Sequence, residues 1–404
     1  MVPTTVPATF EGSLARQGLA GFFLSGLLLA FLGAILPAWG YHLRDDYLTV
    51  GGFFLSMNLG LALSAGLAHY ALARKTTPTV LMVGCGVACA GFLCLALVPP
   101  AAAAWWRLLG ILTLGAGAGL LNRGVFQAIS PLYRQDPAAT VYLSGTFFGL
   151  GSVAISLMVA STFYVYTVPS TLVLVAVIPG FFLASYAKML AASRAALPPG
   201  RLRLGIGGWK DAWTSLTNPA AVLFALLLFF QFGNEWSIAG WLPLFLCKRL
   251  GVSPASSLLM LALYWLALLV GRVLAAAVLP RVSHGRLLGA SVLAALFGCT
   301  ILFFTDNRFG AVTGILFIGG GFASIYPLVV ERIGGRFPAY HPGFFNGIFS
   351  FAVTGGLLAP WSLGFFAERW GVGAVIAVPL LGTLLVFLLL LMIWAEARFT
   401  AAEG

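Results

Sequence analysis

Long apolar runs alternate with short polar breaks from one end of the chain to the other. Twelve runs are long enough to matter, at about 17–41, 48–72, 78–98, 104–130, 139–163, 170–192, 218–246, 255–280, 287–305, 309–331, 344–367 and 371–395. A helix that crosses a bilayer needs about 20 apolar residues, so the pattern predicts twelve transmembrane helices and no sheet. The first run is too long for the core of a secretion signal, carries no small-residue cleavage site and follows a polar lead, which predicts a retained helix. The breaks hold most of the charge, as in Arg44-Asp45-Asp46, Arg74-Lys75, Lys248-Arg249 and Glu368-Arg369. One break is long. Residues 193–217 contain Pro198, Pro199, Gly200, Arg201, Arg203 and Lys210, with Trp209 and Trp213 suited to a headgroup interface. This linker falls mid-chain and predicts two six-helix bundles, 1–192 and 218–404.

Composition strengthens the reading. Of 404 residues, 60% are hydrophobic and 8% are charged, against about 25% charged in soluble domains. That excludes disordered, collagenous and disulfide-scaffold chains and argues against a soluble enzyme. The net charge of +11 is spread as single residues and pairs, without the basic stripe that nucleic acid requires. With the N-terminus inside, fifteen Lys and Arg (Arg272 among them) fall on the cytoplasmic side and six outside, while Arg123 lies within a run. The bias toward positive inner loops places both termini and the linker in the cytoplasm, with a bacterial inner membrane as the expected location. Cys85, Cys89, Cys94, Cys247 and Cys299 sit in or at the ends of apolar runs and read as small packing residues. No metal, cofactor or nucleic-acid partner is expected, and nothing points beyond a monomer.

The halves echo one another. Ser144-Gly145-Thr146-Phe147-Phe148 opens the fifth run and Asn346-Gly347-Ile348-Phe349-Ser350 the eleventh, 202 residues on. The fourth and tenth runs both follow an Arg and carry glycine clusters, Gly115, Gly117 and Gly119 against Gly319, Gly320 and Gly321. Six plus six helices built as a repeat is a layout of secondary transporters, with the solute site at mid-membrane. On these features the chain resembles the major facilitator superfamily over nearly its whole length. The loop after the second run keeps that superfamily's Gly and basic pair, at Gly66, Arg74 and Lys75. The seventh run holds Phe232-Gly233-Asn234-Glu235-Trp236 and then Trp241-Leu242-Pro243. It is similar to the fucose–proton symporter and sodium-dependent glucose transporter group. That resemblance implies transport of a monosaccharide on a proton or sodium gradient.

Charge inside a membrane helix is costly, about 2.5–3.5 kcal/mol on insertion scales, so Glu235 and Arg123 stand out. Glu235 falls about two-thirds of the way out along the seventh run. Gln231 lies one turn before it and Asn234 beside it, giving a polar face at i and i+4. Such a carboxyl can hold substrate hydroxyls or the coupling ion, or it can be structural and paired with Lys248 or Arg249. Arg123 lies in the inner half of the fourth run, with Asn122 adjacent and Gln127 on its face. It reads equally as a solute ligand and as a side chain snorkelling to the interface. Further candidates for solute binding are Asn58, Tyr142, Tyr264, Tyr326 and Asn346, with Trp39 and Trp265 as possible stacking surfaces.

Two function classes follow. No nucleotide-binding loop of the Gly-Lys-Ser/Thr kind is present, so a transporter would run on a gradient, either importing a small polar solute or exporting a drug, lipid or other amphiphile. A membrane-embedded enzyme would need paired carboxylates, a His cluster or an activated nucleophile. The chain offers none of these.

Overall fold

The computed structural model describes residues 8–98, 104–135, 137–194, 218–336 and 347–402. Most of the expected linker and the candidate Asn346 lie outside the described residues. The described residues form twelve long helices and no strand: α1 (Ala8–Ile35), α2 (Tyr47–Arg74), α3 (Thr77–Leu97), α4 (Ala104–Gln135), α5 (Pro137–Thr162), α6 (Val168–Arg194), α7 (Pro219–Leu250), α8 (Pro254–Val278), α9 (His284–Phe304), α10 (Arg308–Arg336), α11 (Gly347–Trp370) and α12 (Ala374–Ala402). One short 3-10 turn, Tyr41–Leu43, joins α1 to α2. Among the described residues, eleven helices are long and apolar enough to cross a bilayer, all but α11. The apolar run expected there begins at 344, before the first described residue of the helix.

Several helices outrun their apolar stretches. α1 begins nine residues before its run and α7 continues four residues past its own, because Lys, Arg and Gln are good helix formers wherever the backbone leaves lipid. The apolar run marks the lipid-facing length, and local chemistry sets the ends. α7 starts where the Asn218 side chain accepts the Ala220 N–H at 2.9 Å with Pro219 in the first turn, and it stops at Gly251, φ 60°. Ser253 then caps α8, with Pro254 in its first turn. This compact junction turns the chain back within a few residues, as N-cap and left-handed C-cap residues do.

The chain divides into two compact units, Met1–Leu32 with Phe53–Leu204, and Gly33–Gly52 with Gly205–Gly404. In the first, α1 crosses α5 where Gly26 and Gly151 leave no room for a Cβ: one would overlap the Phe148 carbonyl, the other that of Phe23. α4 lies between α2 and α3, with Gly115 against Met57 and Gly117 against Ala88. The second unit repeats the plan. Gly355 of α11 meets the Phe229 carbonyl of α7, Gly319 of α10 meets Tyr264 of α8, and Gly321 meets Ala295 of α9. Close helix approach through small residues is a main packing device in lipid, where no hydrophobic force drives helix onto helix.

Residues 33–52, the end of α1, the turn and the start of α2, belong with the second unit. Gly33 packs on the backbone of Ala239 and Gly240. Pro243 has no N–H to give the Ala239 carbonyl, and the glycine backbone fills that place. Gly51 and Gly364 pack backbone to backbone, and the Tyr47 and Trp241 rings lie 6.5 Å apart.

Candidate functional site

Glu235 lies at the middle of α7, nearer the helix centre than its position in the apolar run suggested, because α7 continues to Leu250. Its side chain is 8% exposed and its Oε1 lies 3.8 Å from Nη2 of Arg272, itself 12% exposed. The separation makes an ion pair without hydrogen-bond contact. The expected partners are not used: Lys248 instead holds Asp45 at 2.6 Å. Arg272, assigned from sequence to the cytoplasmic charge, belongs to α8 six residues before its end. The signal for it was present, since Arg272 falls inside the apolar run 255–280. A buried charge without a counter-charge is expensive, and the two groups offset one another.

Polar atoms surround this pair. Tyr264 of α8 is fully buried, and its hydroxyl donates to the Glu235 backbone carbonyl at 3.3 Å. Gln231, one turn earlier on α7, is fully buried as well. Its amide lies near enough to influence the Glu235 carboxylate but not within bonding geometry, so neither Nε2 nor Oε1 has a hydrogen-bond partner. The Ser237 hydroxyl is buried without a hydrogen-bond partner too. Asn234 turns elsewhere. Its Nδ2 donates to Thr383 of α12 at 3.3 Å, and its Oδ1 packs against Gly382, an α7–α12 tie. Phe232, Tyr326 and Phe349 form a trio from α7, α10 and α11 with centroids 5.2–6.4 Å apart. Trp265 is fully buried, packed between Trp236 at 6.2 Å and Tyr264 at 5.2 Å, which leaves no ring face for a solute in this conformation.

In the first unit, the Ser25 hydroxyl of α1 donates to the Asn122 side-chain oxygen of α4, a contact that sequence reading missed because Ser25 is an ordinary small residue in an apolar run. Arg123, Asn58 and Tyr142 are half-buried and Gln127 is buried. Outside the spans, the Lys248 ammonium beside Asp45, with the Tyr47 hydroxyl at 3.2 Å, holds the Asp45 carboxyl below its ordinary value. Burial pushes the His42 imidazole down, partly offset by its hydrogen bond with the Pro37 carbonyl. Among the described residues no group of three or more His, Cys, Asp or Glu could hold a metal ion.

Glycine-crossed helices and a buried ion pair thus stand together among the described residues. No protein-family model matches the chain. A curated relative, an uncharacterized MFS-type transporter of Yersinia pestis, is 22% identical over 381 residues, 93% of each chain. Solved structures align along nearly the full length. A mutant of the nucleoside transporter NupG gives a TM-score of 0.71 at 14% identity, covering 96% of this chain and 99% of that one. A bacterial homologue of the human drug peptide transporters PepT1 and PepT2 gives 0.71 at 11%, covering 99% and 100%. FucP in the outward conformation, a major facilitator transporter, gives 0.62 at 16%, covering 94% and 98%. The chain is a multi-pass membrane protein with the major facilitator fold, as the sequence resemblance implied, and the proteins it is similar to are transporters, not enzymes.

Proposed function

We propose that this chain is a secondary transporter that moves a small, hydrogen-bonding solute by alternating access on a proton or sodium gradient. In this reading the halves 1–192 and 218–404 are the moving bodies, the linker 193–217 joins them, and both termini lie in the cytoplasm of a bacterial inner membrane. The observation that carries the proposal is the Glu235–Arg272 pair beside the unsatisfied Gln231 amide. Two charged groups and an unsatisfied amide buried together in a membrane bundle are costly and need a reason, and a solute or ion path supplies one. Gln231 offers a donor and an acceptor at once, which suits a neutral polyhydroxylated solute such as a monosaccharide. Two of the structural neighbours are named as a nucleoside transporter and a homologue of drug peptide transporters, and nucleosides and peptides are both rich in hydrogen-bonding groups.

A second reading, export of an amphiphile, is favoured by the Phe232–Tyr326–Phe349 trio. Purified protein in proteoliposomes separates the two. Labelled monosaccharides, nucleosides and dipeptides are offered under imposed proton or sodium gradients. Accumulation of any of them, lost in Glu235→Gln, supports the first reading. Absence of accumulation, with gradient-driven loss of a fluorescent amphiphile, supports the second.

A further inference from the structure

Three arginines at one end of the second unit are left over from its ion pairs. α8 ends, α9 begins and α10 ends on the same side of that unit, and α10 packs on both neighbours: Gly320 and Ala323 meet Gly271 of α8, and Ser324 meets Ser291 of α9 at 3.1 Å. Two acids lie at this end, and both are taken. His284 holds Glu331 at 2.7 Å, and Arg336 makes a two-armed pair with Glu396. Among the described residues no carboxylate is within ion-pair distance of Arg281, Arg286 or Arg332. Arg281 and Arg286 are exposed. Nη1 of Arg332 lies 3.9 Å from the place a Cβ on Gly285 would occupy, so the three guanidiniums stand round the link from α8 to α9.

Apolar stripes run from two of these charges. Val270, Val273, Leu274 and Val278 are exposed and share one face of α8, which Arg281 completes at its end. On α9 the exposed Arg286, Leu293 and Phe297 share a face in the same way. Each stripe is eleven residues from its arginine to its far end, about 16 Å of helix. One leaflet of hydrocarbon is about 15 Å deep, half the apolar core of a bilayer. Each stripe therefore has the depth of a leaflet, with a guanidinium at its headgroup end. We propose that Arg281, Arg286 and Arg332 hold the phosphodiester of one anionic glycerophospholipid, such as phosphatidylglycerol, whose acyl chains lie along the α8 and α9 stripes. On the orientation proposed above, this is a lipid of the inner leaflet. The guanidinium fork matches phosphate oxygens two at a time, and basic pockets between membrane helices suit anionic headgroups. A choline headgroup brings its own cation to the same place, and a free anion has no chain to lay on the stripes. The bound lipid ties the ends of α8, α9 and α10 together.

The test needs no transported solute. Full-length protein purified in detergent is titrated with phosphatidylglycerol and with phosphatidylcholine of the same acyl chains, and bound lipids are counted by native mass spectrometry. The expected result is one phosphatidylglycerol bound about tenfold or more tighter than phosphatidylcholine, since each arginine beside an anionic lipid is worth about fivefold in affinity. Arg281→Gln combined with Arg286→Gln is expected to cut that preference about tenfold or more on the same basis. Arg74→Gln combined with Lys75→Gln removes equal charge at the exposed α2–α3 link and is expected to keep the preference. Loss of preference in both double variants shows charge attraction without a site and overturns the proposal. So does a wild type that binds the two lipids alike. Inorganic phosphate in excess separates a free anion from a lipid. If it raises the melting temperature as much as phosphatidylglycerol does, the acyl chains play no part and the lipid site is refuted. Should the Arg281 and Arg286 variant fail to fold, the wild-type comparison of the two lipids and inorganic phosphate still decides.

Discussion

Glu235 and Asn234 are consecutive, yet a helix places consecutive side chains about 100° apart. Glu235 therefore meets α8 and Asn234 meets α12. Gln231 shares the Glu235 side and is the more informative residue, because a buried amide with no hydrogen-bond partner costs about 1–3 kcal/mol. Replacing it by Leu, similar in volume and free of that cost, is expected to raise unfolding stability by about 1–2 kcal/mol. The same change is expected to weaken solute uptake by tenfold or more, a loss of about 1.4 kcal/mol or more of binding. Thermal melts of detergent-purified protein and uptake assays on the same preparation check both halves. A variant less stable than the wild type would mean the amide is satisfied within the fold. Glu235 and Gln231 were legible as chemistry because a charge and an amide at i and i+4 interrupt an apolar run. Their partners were not. Arg272, Thr383 and Ser25 come from other helices, and which of them meets α7 or α4 depends on helix rotation, which no local pattern encodes.

The same limit governs whole helices. Twelve apolar runs predict twelve helices well, because bilayer thickness imposes a length that the sequence must satisfy. The glycine clusters also foretold a repeat, and the structure gives them a purpose. Gly115 and Gly117 in α4 do for α2 and α3 what Gly319 and Gly321, 204 residues on, do in α10 for α8 and α9. What the runs do not reveal is which helix each glycine faces. The α7–α11 crossing is a sharp case, since a Cβ on Gly355 would strike the Phe229 carbonyl, which is backbone and cannot rotate away. Gly355→Ala is therefore expected to lower stability by about 1–3 kcal/mol. Gly66→Ala, at an exposed α2 position with open space about it, is expected to be neutral or to gain up to about 1 kcal/mol from helix propensity. Melting curves of the two variants side by side read the difference, and equal melting would show that the crossing relaxes to admit a methyl group.

For the molecule as a whole, loop charge bears on which way the chain faces in the membrane. The charge count from sequence set fifteen basic residues inside against six outside, and the structure removes Arg272 from the inner tally because it is spent on Glu235. Fourteen against six remains a strong inner bias, and loop charges near helix ends are the ones that orient a chain. The correction leaves the charge bias in place but changes its basis, since a buried, paired Arg exerts no pull on a loop. With both termini inside, as proposed, the links alternate in side, which puts 41–46 outside and 279–283 inside. In a background free of native cysteines, Leu43→Cys, at an exposed position of the first link, is expected to react with a membrane-impermeant maleimide in intact cells. Ser283→Cys, exposed before α9, is expected to react only after the membrane is opened. The opposite pattern would reverse the topology.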